Sequence, residues 1–258
     1  MFHTFLVNLD RSADRLVSMQ EQAGRVGLSF ERLPAVLGTA VPEHLADKFF
    51  VDGRVASELR PGEVGCYASH LLIYEKMIER GLEHALVLED DAILASDIVD
   101  TVERTLAAAP AGWDIIKICN VTSRTTVRVA RLGTRHLVRY VRQPFGTFGY
   151  LISASGTRKM LTPGLRTEPI DMDMRRPWRF GLETYGVLPP PVQTTTEQSE
   201  ILDMGGRGKW AKNKKERNRQ DLAYTAERVG WPKVIASEIV TSTTKWLPQS
   251  LRPRGRII

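Results

Sequence analysis

Cysteine is almost absent from this chain: Cys66 and Cys119 are the only two among 258 residues. Both lie inside apolar patterns, which suits two free core thiols in a reducing compartment better than a disulfide or a zinc site. Histidine is scarce as well, with five in all and none after His136. Neither the glycine-rich dinucleotide fingerprint nor the P-loop pattern occurs, so a Rossmann dehydrogenase and a P-loop kinase lack their phosphate loop. Ser69 has no nucleophile-elbow context, which argues against serine hydrolysis. No apolar run approaches the length of a bilayer-spanning helix, and strand-like residues Phe2 to Val7 stand where a charged leader would begin. The lack of a spanning run and of a leader leads us to expect a cytoplasmic protein.

What is present is enough for a sizeable core. Hydrophobic residues make up 42% of the chain, consistent with one large domain or one domain with an appendage. The net charge of +6 conceals an asymmetry, because the residues from Gly205 onward carry 13 Lys and Arg against 4 Asp and Glu. A division into residues 1–204 and a basic, mostly helical extension at 205–258 follows. The body before it is slightly acidic, which argues against nucleic-acid binding there and assigns an anionic partner to the extension.

Along the chain, helical and strand patterns alternate. Phe2 to Asn8 is β-rich; Ser12 can cap a helix carrying Leu16, Met19, Ala23 and Val26, and Gly27 stops it before the strand Leu28 to Leu33. The connection Asn8-Leu9-Asp10-Arg11 ends a strand and opens a helix. Two readings of it stand: a phosphate site served by backbone donors with Arg11 or Arg15, and an ordinary salt-bridged first turn. Pro61-Gly62-Glu63 opens a second helix through Cys66, His70, Ile73 and Met77 to Gly81, with His70 on its apolar stripe, where a histidine more often supports a core or a neighbouring residue than catalyses. Further strands are predicted at Trp113 to Cys119, His136 to Arg142, Thr147 to Ser153 and Thr184 to Leu188. A loop holds Pro169 to Asp173, and Pro189-Pro190-Pro191 closes the core.

The sharpest feature is Ala85-Leu86-Val87-Leu88 running into Glu89-Asp90-Asp91. A short continuous apolar run predicts a central strand of a parallel sheet, and ligands of open α/β sheets sit beyond the carboxyl ends of such strands. Three adjacent acids repel one another unless a cation is present, and oxygen ligands favour Mg or Mn. A solvated turn capping the next helix is the competing reading.

In this order the chain resembles glycosyltransferase family 25, which includes lipooligosaccharide β-galactosyltransferases and the collagen galactosyltransferase domain. The resemblance rests on Val7-Asn8-Leu9-Asp10-Arg11 with Arg15, Leu33-Pro34-Ala35-Val36, Gly62-Glu63-Val64-Gly65-Cys66 with Ser69-His70, and Ala85 to Ala92. It continues through Trp113-Asp114, Gly149 to Ser153 with Gly156, Pro169-Ile170-Asp171 and Gln198-Ser199-Glu200-Ile201, so it spans roughly residues 1–201. It implies a GT-A type, Rossmann-like α/β catalytic domain over residues 1–204 and inverting, metal-dependent transfer of a hexose, most commonly galactose. The implied donor is a UDP-sugar and the implied acceptor a lipopolysaccharide or lipooligosaccharide glycan.

Under that resemblance Glu89-Asp90-Asp91 is similar to the acidic metal motif. Asp91 and Glu89 are the expected ligands of Mn²⁺ or Mg²⁺, and Asn8, Leu9, Arg11, Arg15, Ala35, Ser69, His70, Glu89 and Asp90 the expected donor-side residues. The histidine that many GT-A enzymes add late in the domain has no counterpart here. Asp171 is the expected general base, with Asp173 in reserve; a turn-capping aspartate is the competing reading. A degenerate sugar-nucleotide-binding protein, or a metal-dependent phosphoryl-transfer enzyme acting on nucleic acid, are the alternative functions. In the extension, Lys209, Trp210, Lys212, Lys214, Lys215, Arg217 and Arg219, with Trp231 and Trp246, suggest peripheral attachment to an anionic membrane surface on the inner face. A solvated basic helix is the alternative there.

Overall fold

The computed structural model describes residues 2–119, 126–194 and 214–244. Its centre is an eight-stranded mixed sheet in the order β2-β1-β5-β10-β7-β11-β9-β8. These strands are β1 (His3–Asn8), β2 (Glu31–Pro34), β5 (His84–Glu89), β7 (Ile115–Lys117), β8 (Thr126–Leu132), β9 (Arg135–Tyr140), β10 (Gly149–Ser153) and β11 (Thr184–Leu188). Two small ribbons accompany it, β3 (Phe50–Val51) with β4 (Arg54–Val55), and β6 (Ala92–Leu94) with β12 (Val192–Thr194).

The acidic strand sits at the junction of the sheet's two halves. β5 runs parallel to β1 on one side and antiparallel to β10 on the other. The all-parallel setting expected from its apolar run is therefore corrected to a mixed sheet; burial on both faces accounts for the continuous hydrophobicity in either case. Successive side chains of a strand point to opposite faces. Accordingly Ala85 and Val87 join Phe5, Tyr150 and the helices α3 (Pro61–Glu79), α5 (Ala154–Met160) and α6 (Ile170–Arg175), while Leu86 and Leu88 join Leu6 and the helices α1 (Ala13–Val26) and α4 (Ile98–Ala108). A one-turn helix, α2 (Glu43–Ala46), lies in the 35–60 connection.

Helix boundaries follow local chemistry. Gly27, at φ 68°, ends α1 in the left-handed conformation that costs glycine no Cβ clash. Pro61 occupies the first turn of α3, where its missing N–H costs nothing, and the Glu63 carboxylate accepts from the Arg60 backbone N–H at 2.9 Å. The segment Pro169 to Asp173, expected as a loop, instead enters the short helix α6.

The triple proline does not close the core. β12 follows it, and two further helices, α7 (Lys214–Val229) and α8 (Trp231–Thr244), dock on the β8–β9 end of the sheet. Ala226 and Val234 pack against Val127 and Val141. The Tyr224 hydroxyl donates to the Leu182 carbonyl, Arg228 Nε donates to Glu183 at 2.7 Å, and Arg142 grips both oxygens of Glu238 at 2.9 and 3.0 Å. This part of the basic extension is thus a packed element. Lys209, Trp210, Lys212 and Trp246 lie outside the described residues, as do the side chains of Lys214, Lys215 and Arg217 and the segment Gln198-Ser199-Glu200-Ile201.

Tyr224→Ala removes a buried phenol, its hydrogen bond and its stacking under Arg228. A loss of about 3 kcal/mol is expected for such a truncation, a fall of roughly 6–12 °C in thermal midpoint for a domain of this size. A calorimetric midpoint unchanged from wild type refutes the docking of α7.

Candidate active site

Because β1 and β5 are parallel neighbours, with Val7 opposite Glu89, their carboxyl ends open on one edge. An open cleft lies there. Its walls come from four segments of the chain: Asn8, Leu9 and Arg11 of the β1–α1 connection with Arg15 of α1, Ala35 and Val36 after β2, Cys66 and Ser69 of α3, and Glu89, Asp90 and Asp91. All but one of the residues expected on the donor side therefore border a single space.

The exception is His70. It is fully buried on α3 and sits behind Glu89, with Nε2 3.4 Å from Glu89 Oε1 and Nδ1 2.7 Å from the Tyr150 hydroxyl. The Tyr74 hydroxyl lies 2.7 Å further along. His70 thus belongs to a buried polar chain that orients Glu89, and direct donor contact is corrected to a positioning role. The same Glu89 oxygen accepts a hydrogen bond from Thr147. Burial alone pushes the Glu89 carboxyl up, but the hydrogen bond and charge of His70, with Thr147, outweigh it and hold Glu89 below the ordinary carboxylate range.

The three acids are treated differently by their surroundings. Asp90 turns back toward the β1–α1 connection, accepting from Asn8 Nδ2 at 2.8 Å and from Arg15 at 3.3 Å. Asn8 is fixed in turn by its bond to the Ser12 carbonyl and by Arg32 Nε at 2.9 Å. Asp91 accepts from Thr194 at 3.1 Å through Oδ2, while its Oδ1 is buried without a hydrogen-bond partner among the described residues. Burial, followed by the charge of Glu89, lifts Asp91 to about 6. A buried carboxylate oxygen lacking a donor beside a second ionised carboxylate is a set that a hard divalent cation completes, so the residues present fit such an ion.

The opposite wall is held by close backbone approach. The Ser69 hydroxyl accepts from Val36 N at 2.8 Å and donates to Gly65 O at 2.7 Å, so it is engaged in pinning the loop after β2. A Cβ at Gly65 would stand 2.3 Å from the Val36 carbonyl oxygen, and one at Gly38 would stand 1.8 Å from that of Pro61. Only glycine fits at either position. Cys66, which its apolar setting assigns to the core, lines the cleft as well.

The two expected catalytic aspartates part company. Asp171 is half-buried in the first turn of α6 and does not line the cleft, yet its charge helps raise the Cys66 thiol, after the larger effects of burial and Glu89. Asp173 is fully buried, with one oxygen accepting from the Tyr67 hydroxyl at 2.8 Å and the other from Arg179. With both oxygens occupied and no exposed surface it cannot meet an acceptor hydroxyl, and the reserve assignment is corrected to a structural one.

Several functional neighbours carry no local sequence signal. Thr147 and Thr194 reach the acids only through strand pairing, the latter because β12 runs antiparallel to β6 with Thr194 opposite Ala92. Lys117 is buried under the 144–147 loop, donating to the Pro144 carbonyl at 2.7 Å, and burial lowers its amine to about 8.

A family model described as "Glycosyltransferase family 25 (LPS biosynthesis protein)" matches residues 1–174. The chain belongs to that family. It is 31% identical over 180 residues to a "Glycosyltransferase 25 family member" of Aedes aegypti, covering 66% of this chain and 30% of the relative. It is 30% identical over 168 residues to "Procollagen galactosyltransferase 1-B" of Xenopus laevis, covering 61% and 27%. A "Probable inactive glycosyltransferase 25 family member 3" of Bos taurus is 29% identical over 182 residues, covering 65% and 30%. The chain thus spans about a third of the length of these curated relatives.

Asp173 provides a check with a definite sign. Burial raises its folded value from 3.8 to about 6, against the opposing pull of Arg179 and Tyr67. The stability tied to its protonation is therefore present below pH 3.8 and lost as pH rises through 6. Asp173→Asn cannot ionise, so its stability relative to wild type is expected to improve by about 1–3 kcal/mol between roughly pH 4 and 7. A pH-independent difference between the two proteins contradicts this.

Proposed function

We propose that the chain transfers a hexose, galactose first among the candidates, from a UDP-sugar to a sugar hydroxyl of a lipopolysaccharide- or lipooligosaccharide-type glycan, with inversion at the anomeric carbon. Family membership supports the reaction class. The observation that carries the reading is the buried Asp91 Oδ1, without a hydrogen-bond partner among the described residues, beside Glu89 in a cleft that Arg11 and Arg15 also line. Asp91 and Glu89 are the residues that would hold Mn²⁺ or Mg²⁺, and such an ion neutralises charge developing on a departing diphosphate without proton transfer.

The chain's own groups supply the remainder. Arg11 and Arg15, at the start of α1, offer positive charge to the diphosphate, with the helix N-terminus adding backbone donors. Asp90 holds Arg15 and Asn8 in place instead of meeting the ligand directly. Thr147 and His70 fix the Glu89 carboxylate, so its orientation is set before any ligand arrives. Asp171 is the proposed base, taking the proton of the acceptor hydroxyl as that oxygen attacks the anomeric carbon. The degenerate-scaffold reading is disfavoured by retention of Glu89, Asp91 and Asp171.

Replacing Asp91 by Asn is expected to abolish Mn-dependent transfer in a panel of UDP-sugars with the fold intact. Asp171→Asn is expected to reduce turnover by roughly 10²–10⁴-fold while UDP-sugar binding survives. Mn-dependent activity in the first variant, or normal turnover in the second, removes the corresponding assignment.

We also propose that the docked extension rests on an anionic membrane surface at the cytoplasmic face, where lipid-linked acceptors are accessible. Trp231, Ile235 and Ile239 recur one helical turn apart along α8 and are 57%, 55% and 58% exposed, with Lys233 exposed between them. Such a stripe suits burial in a headgroup region, supported by about 1 kcal/mol per nearby basic residue. The wild-type chain is expected to co-sediment with anionic vesicles at low salt and to be released at high salt or by Ile235→Asp. Failure to sediment under both conditions refutes the attachment.

A further inference from the structure

We infer that the cleft contains a second, thiophilic metal site formed by Cys66 Sγ, His70 Nε2 and Glu89, able to take Zn²⁺ or Cd²⁺. The three ligand atoms lie within 4.8 Å of one another. This site does not depend on the transferase reading, since it is defined by side chains that bind a cation whatever reaction the cleft supports.

Its geometry is closest to complete between His70 and Glu89. Their nitrogen and oxygen are 3.4 Å apart, a long hydrogen bond. Tetrahedral zinc, with bonds of about 2.0–2.2 Å to nitrogen and oxygen, places two such ligands about 3.4 Å from each other. Cys66 must approach by no more than roughly an ångström to bring its sulfur to about 2.3 Å from the same ion, a movement available to its single side-chain torsion.

The surroundings supply what a metal-bound imidazole needs. With Nδ1 at 2.7 Å from the Tyr150 hydroxyl, and that hydroxyl 2.7 Å from Tyr74, the ring is oriented from behind. Once an ion displaces the Nε2 proton, Nδ1–H donates to Tyr150 and the freed Nε2 lone pair is the ligand, the arrangement by which outer hydrogen bonds fix ligand tautomers. Cys66 and Glu89 both line the cleft, so an ion can enter and a fourth position stays open to water. Glu89, Asp171 and Asp91 place negative charge around the thiol, which opposes a free thiolate and favours a cation. Binding releases the Cys66 S–H proton, and the Nε2 proton from any imidazolium, to solvent; no oxidant or reductant takes part.

Because Glu89 belongs to both sets, thiophilic and hard cations compete. Cd²⁺ titrated into the full-length wild-type chain is expected to produce one equivalent of a saturable ultraviolet cadmium–thiolate band, retained in Cys119→Ser, lost in Cys66→Ser and at least about tenfold weaker in affinity in His70→Gln. A check that needs no variant is X-ray absorption on zinc-loaded wild-type protein, where one sulfur at about 2.3 Å with nitrogen and oxygen neighbours is expected. Absence of a saturable band, its loss in Cys119→Ser with retention in Cys66→Ser, or a zinc shell of oxygen and nitrogen alone overturns the inference.

Discussion

The structure turns on holding two carboxylates, Glu89 and Asp91, close together at the exposed end of a buried strand. Like charges there repel, and the protein opposes that repulsion unequally. Glu89 is kept ionised by His70 and Thr147, whereas Asp91 receives one hydroxyl and burial. The asymmetry leaves Asp91 as the group with unmet electrostatic demand. A cation would answer that demand, and on that ground we propose the arrangement as a binding site.

Much of the fold can be seen as support for this arrangement. β5 is flanked by a parallel partner that delivers the β1–α1 connection and an antiparallel one that delivers Tyr150. The glycines at 38 and 65 let the loop after β2 press against α3 and form the facing wall. Lys117, buried beneath the 144–147 loop, holds the segment from which Thr147 reaches Glu89. Rigid elements thus position nearly every side chain around the cleft, as preorganised binding of a charged ligand requires.

Local signals made the first half of the fold legible. The βαβ unit, the Pro61 helix start and the strand before the acids each follow from patterns contained within one segment. The sheet's antiparallel insertion was hidden, because an apolar run that is buried on both faces looks the same beside a parallel or an antiparallel neighbour. At the site, Asn8, Leu9, Arg11, Arg15, Ala35, Ser69, Glu89 and Asp90 border one cleft as the motifs suggested. His70 and Asp173 fell behind it, since the side of a helix that faces a ligand is decided by packing that no single segment encodes. Thr147 and Thr194 carried no local signal because strand pairing brings them to the acids, and Cys66 read as a core thiol. In the extension, composition drew attention to charge, while the packing of Tyr224, Ala226 and Val234 depended on a surface formed far away in sequence.

The central claim is that the acids at the end of β5 bind a nucleoside diphosphate through a divalent cation. Isothermal titration of UDP into the wild-type chain, with Mn²⁺ and again with the ion chelated, tests it without requiring knowledge of the acceptor. The account predicts saturable binding with Mn²⁺ that weakens at least about tenfold, a difference of roughly 1.4 kcal/mol, when the ion is removed. Equal affinity in the two titrations, or no UDP binding with Mn²⁺ present, contradicts it.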